Sequence, residues 1–390
     1  MKKKVFFIIE SLTIGGTEKS LISLLQEMDY DKYQVDLLMV KKEGDLLDKV
    51  PKEVNILEPL LSDDYNKSVS ELIKTKRLNV LLNKLLIKFL NKIGNDLVKQ
   101  DIYSWVVKKR LFRKNGLYDV AISYMHHSSC LLYLSENVDA YRKICYVHLD
   151  FGTMNSKANL YKKYFERMNT IVTVGEGQRL SFVKRFPQLD SKTVVIPNIV
   201  SKKEIIDLAT RFNPFQKNNH EVVIVTVARL QVVKGIDIAL DACEILVSKG
   251  INIKWYIVGD GKLRKELELK IKEKRLQNHF ILVGNQKNPY PYIKYCDIYV
   301  QPSRTEARPL AVEEAKILYK PIIVTSYQEA KFQVKEEKTG LITNASSESI
   351  SDNIYMLTQN DMLREQLSNN LRAESSSTQI NKNLFDEMIN

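Results

Sequence analysis

The chain has 390 residues, of which 44% are hydrophobic and 27% are charged, and its net charge is +12. This length suits two domains of about 150 residues or more each, and the composition excludes a chain dominated by disorder. The four cysteines, Cys130, Cys145, Cys243 and Cys296, are scattered without metal-ligand spacing. We therefore expect neither disulfides nor a structural metal, and the expected compartment is the reducing cytoplasm.

The first segment, MKKKVFFIIESL, has the basic start of a signal peptide but not its apolar region. The apolar run covers residues 5–9 and ends at Glu10, whereas a signal needs at least about seven apolar residues. No stretch approaches the run of about 20 apolar residues that a transmembrane helix requires. Residues 5–9 are better interpreted as a buried parallel strand.

The stretch SLTIGGTEKS connects this strand to a helix. Gly15 and Gly16 would let the backbone approach a ligand closely, and the N–H groups at a helix N-terminus suit an anion. The stretch is not a G-x-G-x-x-G motif. An ordinary tight turn therefore explains it about as well as an anion site does.

Residues 71–118 carry twelve basic and three acidic residues, a local excess of nine positive charges. They include LNVLLNKLLIKFLNKIG, a basic amphipathic pattern in which Lys84, Lys88 and Lys92 are four residues apart. Two interpretations stay open, a helix on an anionic membrane surface and a surface helix whose apolar face packs on the core. The segment contains no nucleic-acid-binding motif, so we do not expect nucleic acid as a partner.

Histidines lie at the ends of two further predicted strands in the first half. His148 is the penultimate residue of KICYVHL, and His126 and His127 follow YDVAISYM. A lone histidine is more often structural than catalytic, but three of the five histidines at strand ends favour a site there. No Ser-His-Asp or Cys-His spacing supports a nucleophilic hydrolase.

The alternation of strand and helix restarts after PNIVSKK, near residues 197–203, which predicts two doubly wound α/β domains with a ligand cleft between them. In VARLQVVKGID, Arg229 lies at a strand end and Lys234 follows five residues later. Two cations at a strand end can hold a diphosphate, and the alternative is two solvated cations. IVGDGKL adds a second glycine-lined strand end, at Gly259.

The stretch RTEARPLAVEEA places three glutamates after a short apolar strand at 297–300. Pro309 suits the first turn of a helix, which we expect over 309–319, with the next strand at 321–325. Glu306 lies in the loop and Glu314 on the apolar face of the helix, so both can point toward a ligand at the helix N-terminus. An ion pair with a nearby cation is the alternative for Glu314.

Glu313 lies about 100° around the helix from Glu314. Lys316 and Lys320 are its neighbours along the chain. We therefore expect Glu313 to be solvated and to have no role in binding a ligand.

Together, VARLQVVKG, IVGDGKL, YIKYCDIYVQPSRTEARPLAVEEA and KPIIVT resemble the C-terminal domain of family 4 glycosyltransferases, the retaining group with the GT-B fold. IGGTEKSL and VIPNIV resemble its other landmarks, so the resemblance covers nearly the whole chain. It implies two Rossmann-like doubly wound domains that face a central cleft. The expected parts are an acceptor-side domain (1–197) with a basic helical insertion at about 65–115, a nucleotide-sugar-binding domain (204–372), and a tail (373–390) for which packing on the first domain is one option.

The resemblance also implies roles for single residues. Glu314 would bind the ribose hydroxyls of a nucleotide-sugar, Glu306 would contact the transferred sugar, and Arg229 and Lys234 would neutralise the diphosphate. Gly16 and His148 would face the diphosphate and the sugar, and residues around Val283 would frame the base. The candidate catalytic residues are His148, Arg229, Lys234 and Glu306, and the candidate donor-binding residues add Gly15, Gly16, Gly259, Val283, Gly284, Arg308, Pro309, Leu310 and Glu314.

The chain departs from the family after the first glutamate, where Ala307 replaces the usual glycine. Arg308 follows it and would contact a phosphate or restrict the sugar. No Asp-x-Asp motif lies at the site, so we expect transfer without a metal or another cofactor, and with retention at the anomeric carbon.

The resemblance implies a nucleotide-sugar donor, expected to be a UDP-sugar. The expected acceptor is a glycan or a lipid-linked glycan in bacterial capsule or exopolysaccharide synthesis, and the expected location is cytoplasmic, with peripheral contact at the inner face of the membrane as one option.

Two alternatives to a glycosyltransferase stay open. One is a nucleotide-sugar epimerase or hydrolase of similar fold, and the other is an inactive partner subunit of a glycosyltransferase complex.

Overall fold

The computed structural model describes residues 1–60, 69–75, 81–82, 85, 89, 115–126, 129–148, 161–216, 221–374 and 378–390. The chain divides into two compact units, Met1–Val200 together with Asn381–Asn390, and Ser201–Ile380. Most of the basic segment predicted at about 65–115 lies outside the described residues, as does His127. None of the helices in the described ranges is both long and apolar enough to span a bilayer.

The described strands of the first unit form one parallel sheet. They are β1 (Lys3–Ile9), β2 (Tyr33–Met39), β3 (Asn55–Ile56), β4 (Asn115–Ser123), β5 (Val138–Val147), β6 (Thr170–Thr173) and β7 (Thr193–Val195). Their order across the sheet is β3-β2-β1-β4-β5-β6-β7. The order reverses between β1 and β4, which is the switch point where doubly wound sheets bind ligands.

Side chains alternate along β1, and both of its faces are covered. Val5, Phe7 and Ile9 belong to one buried cluster, whereas Phe6 and Ile8 belong to another. This explains why the strand is apolar from Val5 to Ile9, as a parallel strand covered on both faces must be. The described helices of this unit are α1 (Gly16–Glu27), α2 (Val69–Lys74), α3 (Ser129–Asn137), α4 (Lys162–Glu166) and α5 (Glu176–Arg185).

The second unit repeats the same architecture. Its described strands are β8 (Val222–Val227), β9 (Ile253–Val258), β10 (Phe280–Gly284), β11 (Ile298–Gln301), β12 (Ile322–Thr325) and β13 (Leu341–Thr343). They form a parallel sheet in the order β10-β9-β8-β11-β12-β13. The switch point therefore lies between β8 and β11. The predicted pair of Rossmann-like α/β folds is confirmed.

The described helices of the second unit surround this sheet and its buried core around Trp255 and Val300. They are α6 (Lys202–Ala209), α7 (Ile236–Ser248), α8 (Arg264–Glu273), α9 (Tyr290–Tyr295), α10 (Leu310–Ile317), α11 (Ala330–Gln333), α12 (Ser347–Gln359) and α13 (Asp361–Ala373). α10 is the helix that the glutamate-rich stretch predicts, and it is shorter at both ends than the predicted range of 309–319.

The last helix, α14 (Thr378–Ile389), returns to the first unit. Phe385, Met388 and Ile389 are buried in the cluster that contains Phe7, and the rings of Phe7 and Phe385 stack with centroids 6.5 Å apart. Lys3 Nζ donates to the carbonyl of Ile389 at 2.9 Å. The C-terminal residues thus form part of the first unit's core.

Candidate active site at the carboxyl edge of the second sheet

Two paired strands carry the candidate residues of the second unit. β8 leads to Arg229 and Lys234, and β11 leads to the loop that contains Glu306. β8 and β11 pair in parallel, with Ile224 opposite Ile298. Because paired parallel strands end at the same edge of a sheet, the two loops meet at the switch point.

The closest contact between these loops joins Lys234 and Glu306. Lys234 Nζ donates to both carboxylate oxygens of Glu306 at 2.7 Å. The Glu306 side chain is only 7% exposed and that of Lys234 is 24% exposed. The two residues to which the resemblance assigns the sugar and the diphosphate are therefore in direct contact, so Lys234 is not one of two solvated cations.

Three further side chains from β11 and its loop fix the Glu306 carboxylate. Ser303 Oγ donates to Oε1 at 2.7 Å and Gln301 Nε2 donates to Oε1 at 3.2 Å. The hydroxyl of Tyr299 donates to Gln301 Oε1 at 2.7 Å, which fixes the orientation of the amide. Thr325 Oγ1 donates to the backbone carbonyls of Gln301 and Ser303. A buried carboxylate is tolerated because it is satisfied in this way.

Arg229 follows the end of β8 by two residues and is exposed. Its side chain has no hydrogen bond or ion pair within the part of the chain that the structure describes. An exposed guanidinium at the carboxyl edge of β8 is available to a ligand, as the prediction of a diphosphate contact requires.

Glu314 is 3% exposed and lies on α10. It accepts a hydrogen bond from the side chain of Tyr290, and burial together with the charges of Glu314 and Glu204 raises the pKa of Tyr290 well above its ordinary value. A neutral phenol is therefore one hydrogen-bond partner of Glu314, and the alternative of an ion pair stays a prediction. The sequence alone does not indicate Tyr290, because it lies in a different βα unit.

The N-terminus of α10 lies next to Glu306 in the chain. Pro309 is its N-cap and Leu310 its first helical residue, and both are buried. The first N–H groups of a helix have no intrahelical acceptor, and together with the helix dipole they favour an anion. The predicted phosphate contacts at Pro309 and Leu310 stay a prediction.

The predictions for Glu313 and Arg308 need correction. Glu313 is not solvated, because its side chain is 17% exposed and accepts from Arg308 at 2.7 Å and from Gln333 at 3.1 Å. Arg308 donates in addition to Glu329, which is fully buried, at 2.6 Å. With two carboxylates on its guanidinium, Arg308 is occupied inside the protein and positions the loop after β12, in place of the predicted phosphate or sugar contact.

Glycines bring the neighbouring loops together. At Gly259 the backbone φ is +144°, and a Cβ there would lie 2.0 Å from the carbonyl oxygen of Ala228. Only glycine therefore fits where the loop after β9 crosses the loop after β8. Val283 and Gly284 end β10 on the far side of β9, where both are partly exposed.

The remaining predicted residues belong to the first unit. Gly15 caps α1 and Gly16 is its first residue, at the carboxyl end of β1. His148 follows β5 and is partly exposed. Its backbone N–H donates to His126 Nδ1 at 3.3 Å, and its ring stacks on that of Tyr146 with centroids 5.8 Å apart. Both predicted positions thus lie at the carboxyl edge of the first sheet.

No group of three or more His, Cys, Asp or Glu side chains in the described ranges is arranged to hold a metal ion. The expectation of a metal-independent reaction stays a prediction.

Comparison with known proteins shows a family match over part of the chain. A family model described as "Glycosyl transferases group 1" matches residues 209–374. The poly(ribitol-phosphate) alpha-N-acetylglucosaminyltransferase of Staphylococcus aureus is 22% identical over 244 residues, which are 62% of this chain and 47% of that protein. An N-acetylgalactosamine-N,N'-diacetylbacillosaminyl-diphospho-undecaprenol 4-alpha-N-acetylgalactosaminyltransferase of Campylobacter jejuni is 21% identical over 96% of this chain and 95% of that protein.

The chain spans less than half the length of some curated relatives that it matches. The share is 47% of the Staphylococcus aureus protein and 41% of an uncharacterized glycosyltransferase of Methanocaldococcus jannaschii, which is 28% identical over 42% of this chain. The crystal structure of Anabaena HepE in complex with UDP and glucose superposes with a TM-score of 0.71 at 14% identity, over 99% of both chains. The predicted resemblance is confirmed: residues 209–374 match the group 1 glycosyltransferase family model, and the chain has the GT-B fold.

Proposed function

We propose that this chain is a retaining glycosyltransferase that works without a metal ion. It moves a hexose or N-acetylhexosamine from a UDP-sugar to a glycan or lipid-linked acceptor in bacterial surface polysaccharide synthesis. The observation that carries the proposal is the Lys234–Glu306 pair at the switch point of the second sheet. Arg229 and the N-terminus of α10 lie in the loops that meet there.

This set of groups suits the charge that develops when a sugar leaves a nucleoside diphosphate. The bond between the anomeric carbon and the phosphate oxygen breaks, and negative charge grows on that oxygen. Lys234, Arg229 and the N–H groups of α10 stabilise the developing charge. The acceptor oxygen attacks from the same face and passes its proton to the leaving phosphate, so the configuration is retained. A transfer product with inverted anomeric configuration would contradict this mechanism.

In this proposal Glu314 recognises the ribose of the nucleotide-sugar. Its carboxylate is 3% exposed, and a buried carboxylate that accepts from ribose hydroxyls is satisfied. The names of the relatives support the substrate class. The Staphylococcus aureus enzyme is an N-acetylglucosaminyltransferase, the Campylobacter jejuni enzyme acts on a diphospho-undecaprenol-linked sugar, and HepE was crystallised with UDP and glucose.

Thermal stabilisation by nucleotides tests the donor site. We expect UDP to raise the melting temperature more than GDP, ADP or CMP, and EDTA to leave the shift unchanged. A ligand at about 100 times its dissociation constant adds about 2.7 kcal/mol of stability, which such a measurement resolves. The shift should shrink in Glu314→Gln and persist in Glu365→Ala, which changes an exposed glutamate of α13. The absence of a shift with every nucleotide would favour an inactive subunit.

We extend the proposal to contact with an anionic membrane through the basic segment. Residues 71–118 carry an excess of nine positive charges, and each basic residue near an anionic surface contributes about 1 kcal/mol of attraction. We expect the protein to float with liposomes that contain anionic lipid at low salt, and not with neutral liposomes. Replacing Lys84, Lys88 and Lys92 by Gln should weaken flotation without changing the nucleotide-induced melting shift. A wild-type protein that stays in the soluble fraction at low salt would refute the contact.

A further inference from the structure

The loops that carry Lys234 and Glu306 are fastened together by Arg304. Its guanidinium donates to both carboxylate oxygens of Asp237, at 2.7 and 2.6 Å, and to the carbonyl of Val232 at 2.7 Å. The backbone N–H of Arg304 donates to the carbonyl of Val233 at 2.8 Å. Four hydrogen bonds from one residue therefore hold the segment around Lys234 against the loop that follows β11.

A close backbone approach completes this loop clasp, by which we mean Arg304, Asp237 and the backbone of residues 232–235. Gly235 has φ +64°, and a Cβ there would lie 2.0 Å from the carbonyl oxygen of Pro302. Both chain neighbours of Lys234 therefore contact the loop after β11. Gly235 lies against Pro302, and Val233 accepts a hydrogen bond from Arg304. Its side chain then reaches Glu306, which lies two residues after Arg304.

The loop clasp lies at the protein surface, where it adds little to the free energy of unfolding. The side chains of Arg304 and Asp237 are 37% and 35% exposed, and exposed ion pairs contribute little to folding. The geometry is nevertheless specific, because the planar fork of arginine matches the two carboxylate oxygens and a lysine cannot replace it. An exposed contact of this specificity at the rim of a site points to a role in positioning the two loops that carry Lys234 and Glu306.

We infer that Arg304 is a positioning residue for sugar transfer, and that Asp237 is the partner through which it sets the distance between Lys234 and Glu306. The inference rests on the proposed function. Arg304 acts through the Lys234–Glu306 pair and needs no contact with either substrate. Loss of the clasp lets the two loops separate, so the lysine and the carboxylate no longer meet the leaving phosphate and the sugar together.

The test begins with Arg304→Gln, Arg304→Lys and Asp237→Asn, assayed for transfer with UDP-sugar. We expect kcat to fall about 10- to 100-fold, the loss associated with misplacement of about 1 Å. The KM for the donor should change less than kcat, because Glu314 is untouched, and the melting temperature should change little, because the core is untouched. Lys249→Gln is the control, since it removes an exposed ion pair, with Asp352, at the opposite end of α7 from Asp237, and it should retain wild-type kcat.

A double-mutant cycle then separates positioning from a general effect on the fold. If Arg304 acts through Glu306, Arg304→Gln should cost much less in the Glu306→Gln background than in the wild type. Equal losses in both backgrounds, or an unchanged kcat in Arg304→Gln, would overturn the inference. Failure of the proposed function has a different signature, because the wild type itself would then bind no nucleotide and transfer no sugar, and the inference would fall with it.

Discussion

At the residue scale, the chemistry of the site depends on one carboxylate that has little freedom. Glu306 accepts from Lys234, Ser303 and Gln301 at once. Every donor comes from β11, its loop, or the loop after β8. The direction of the carboxylate is therefore set before a substrate arrives, and preorganised groups of this kind avoid reorganisation during the reaction.

Replacement of Ser303 by alanine tests this arrangement. A hydrogen bond to a charged group contributes about 1.5–3 kcal/mol, so we expect Ser303→Ala to lose stability in that range and to lower kcat more than it weakens UDP binding. Ser351→Ala is a matched control, because Ser351 is also fully buried in the second unit but donates to a neutral carbonyl, that of Glu348, at 2.8 Å. The control should lose less stability in urea unfolding and keep its kcat. Equal kcat in the two variants would contradict the assigned role of Ser303.

At the scale of elements, an ionic cluster joins α10 to α11 and the loop before it. Arg308 lies before α10 and pairs with Glu313 on α10 and with Glu329 at the cap of α11. Gln333 of α11 donates to Glu313 and to the carbonyl of Pro309. The cluster fixes the N-terminus of α10, which is the proposed phosphate site, against the end of the sheet.

We expect Arg308→Met to destabilise the protein by about 3–5 kcal/mol, because it leaves buried carboxylates without their cation. Burial acts to raise the pKa of Glu313, but Arg308, Lys316 and Gln333 outweigh it and hold the pKa below its ordinary value. A lowered carboxyl pKa contributes stability that is complete above the unfolded value of about 4.3 and is lost as the pH falls through the folded value.

The loss caused by Arg308→Met should therefore be largest near pH 7 and should shrink as the pH falls toward 4. Urea unfolding at several pH values measures it. Lys270→Met, at an exposed pair, should cost about 0–1 kcal/mol at each pH. A cost of Arg308→Met that grows on acidification would show that the cluster does not stabilise ionised Glu313.

At the scale of the whole molecule, residues 381–390 pack into the core of the first unit, against β1. Phe385 is 1% exposed and stacks on Phe7 of β1, and the hydroxyl of Tyr33 donates to Asn390 Oδ1 at 3.2 Å. The first sheet therefore reaches its full packing only when residues 381–390 have docked.

We expect Phe385→Ala to destabilise the first unit by about 3–5 kcal/mol through the cavity it creates. Leu384→Ala is the control, because Leu384 is the preceding residue and is 37% exposed. Hydrogen exchange by mass spectrometry should show faster exchange in β1 and β2 of the Phe385→Ala variant, with β8 and β11 unchanged. Loss of protection in both units to the same extent would contradict separate cores.

Much of this protein could be predicted from local patterns. The apolar runs identify the strands because buried parallel strands must be apolar on both faces. The spacing of Glu306 and Glu314 across Pro309 predicts a loop carboxylate and a helix carboxylate at one strand end, and the structure places them there. These features depend on residues close in sequence, whose relative positions follow from helix and strand geometry.

The partners of these residues depend on contacts that local patterns do not contain. Lys234 and Glu306 are 72 residues apart in the chain and meet only because β8 lies beside β11. The contact of Arg304 with Asp237 depends on the same pair of strands. Glu313 is covered by Gln333 of α11, and Glu314 meets Tyr290 of α9, so both depend on the packing of separate elements. The sequence by itself determined the α/β class, the resemblance to a glycosyltransferase family and the residues that carry charge at the strand ends. The strand order of the folded sheet decided which of those charges pair, because long-range pairing follows from the packing of whole elements.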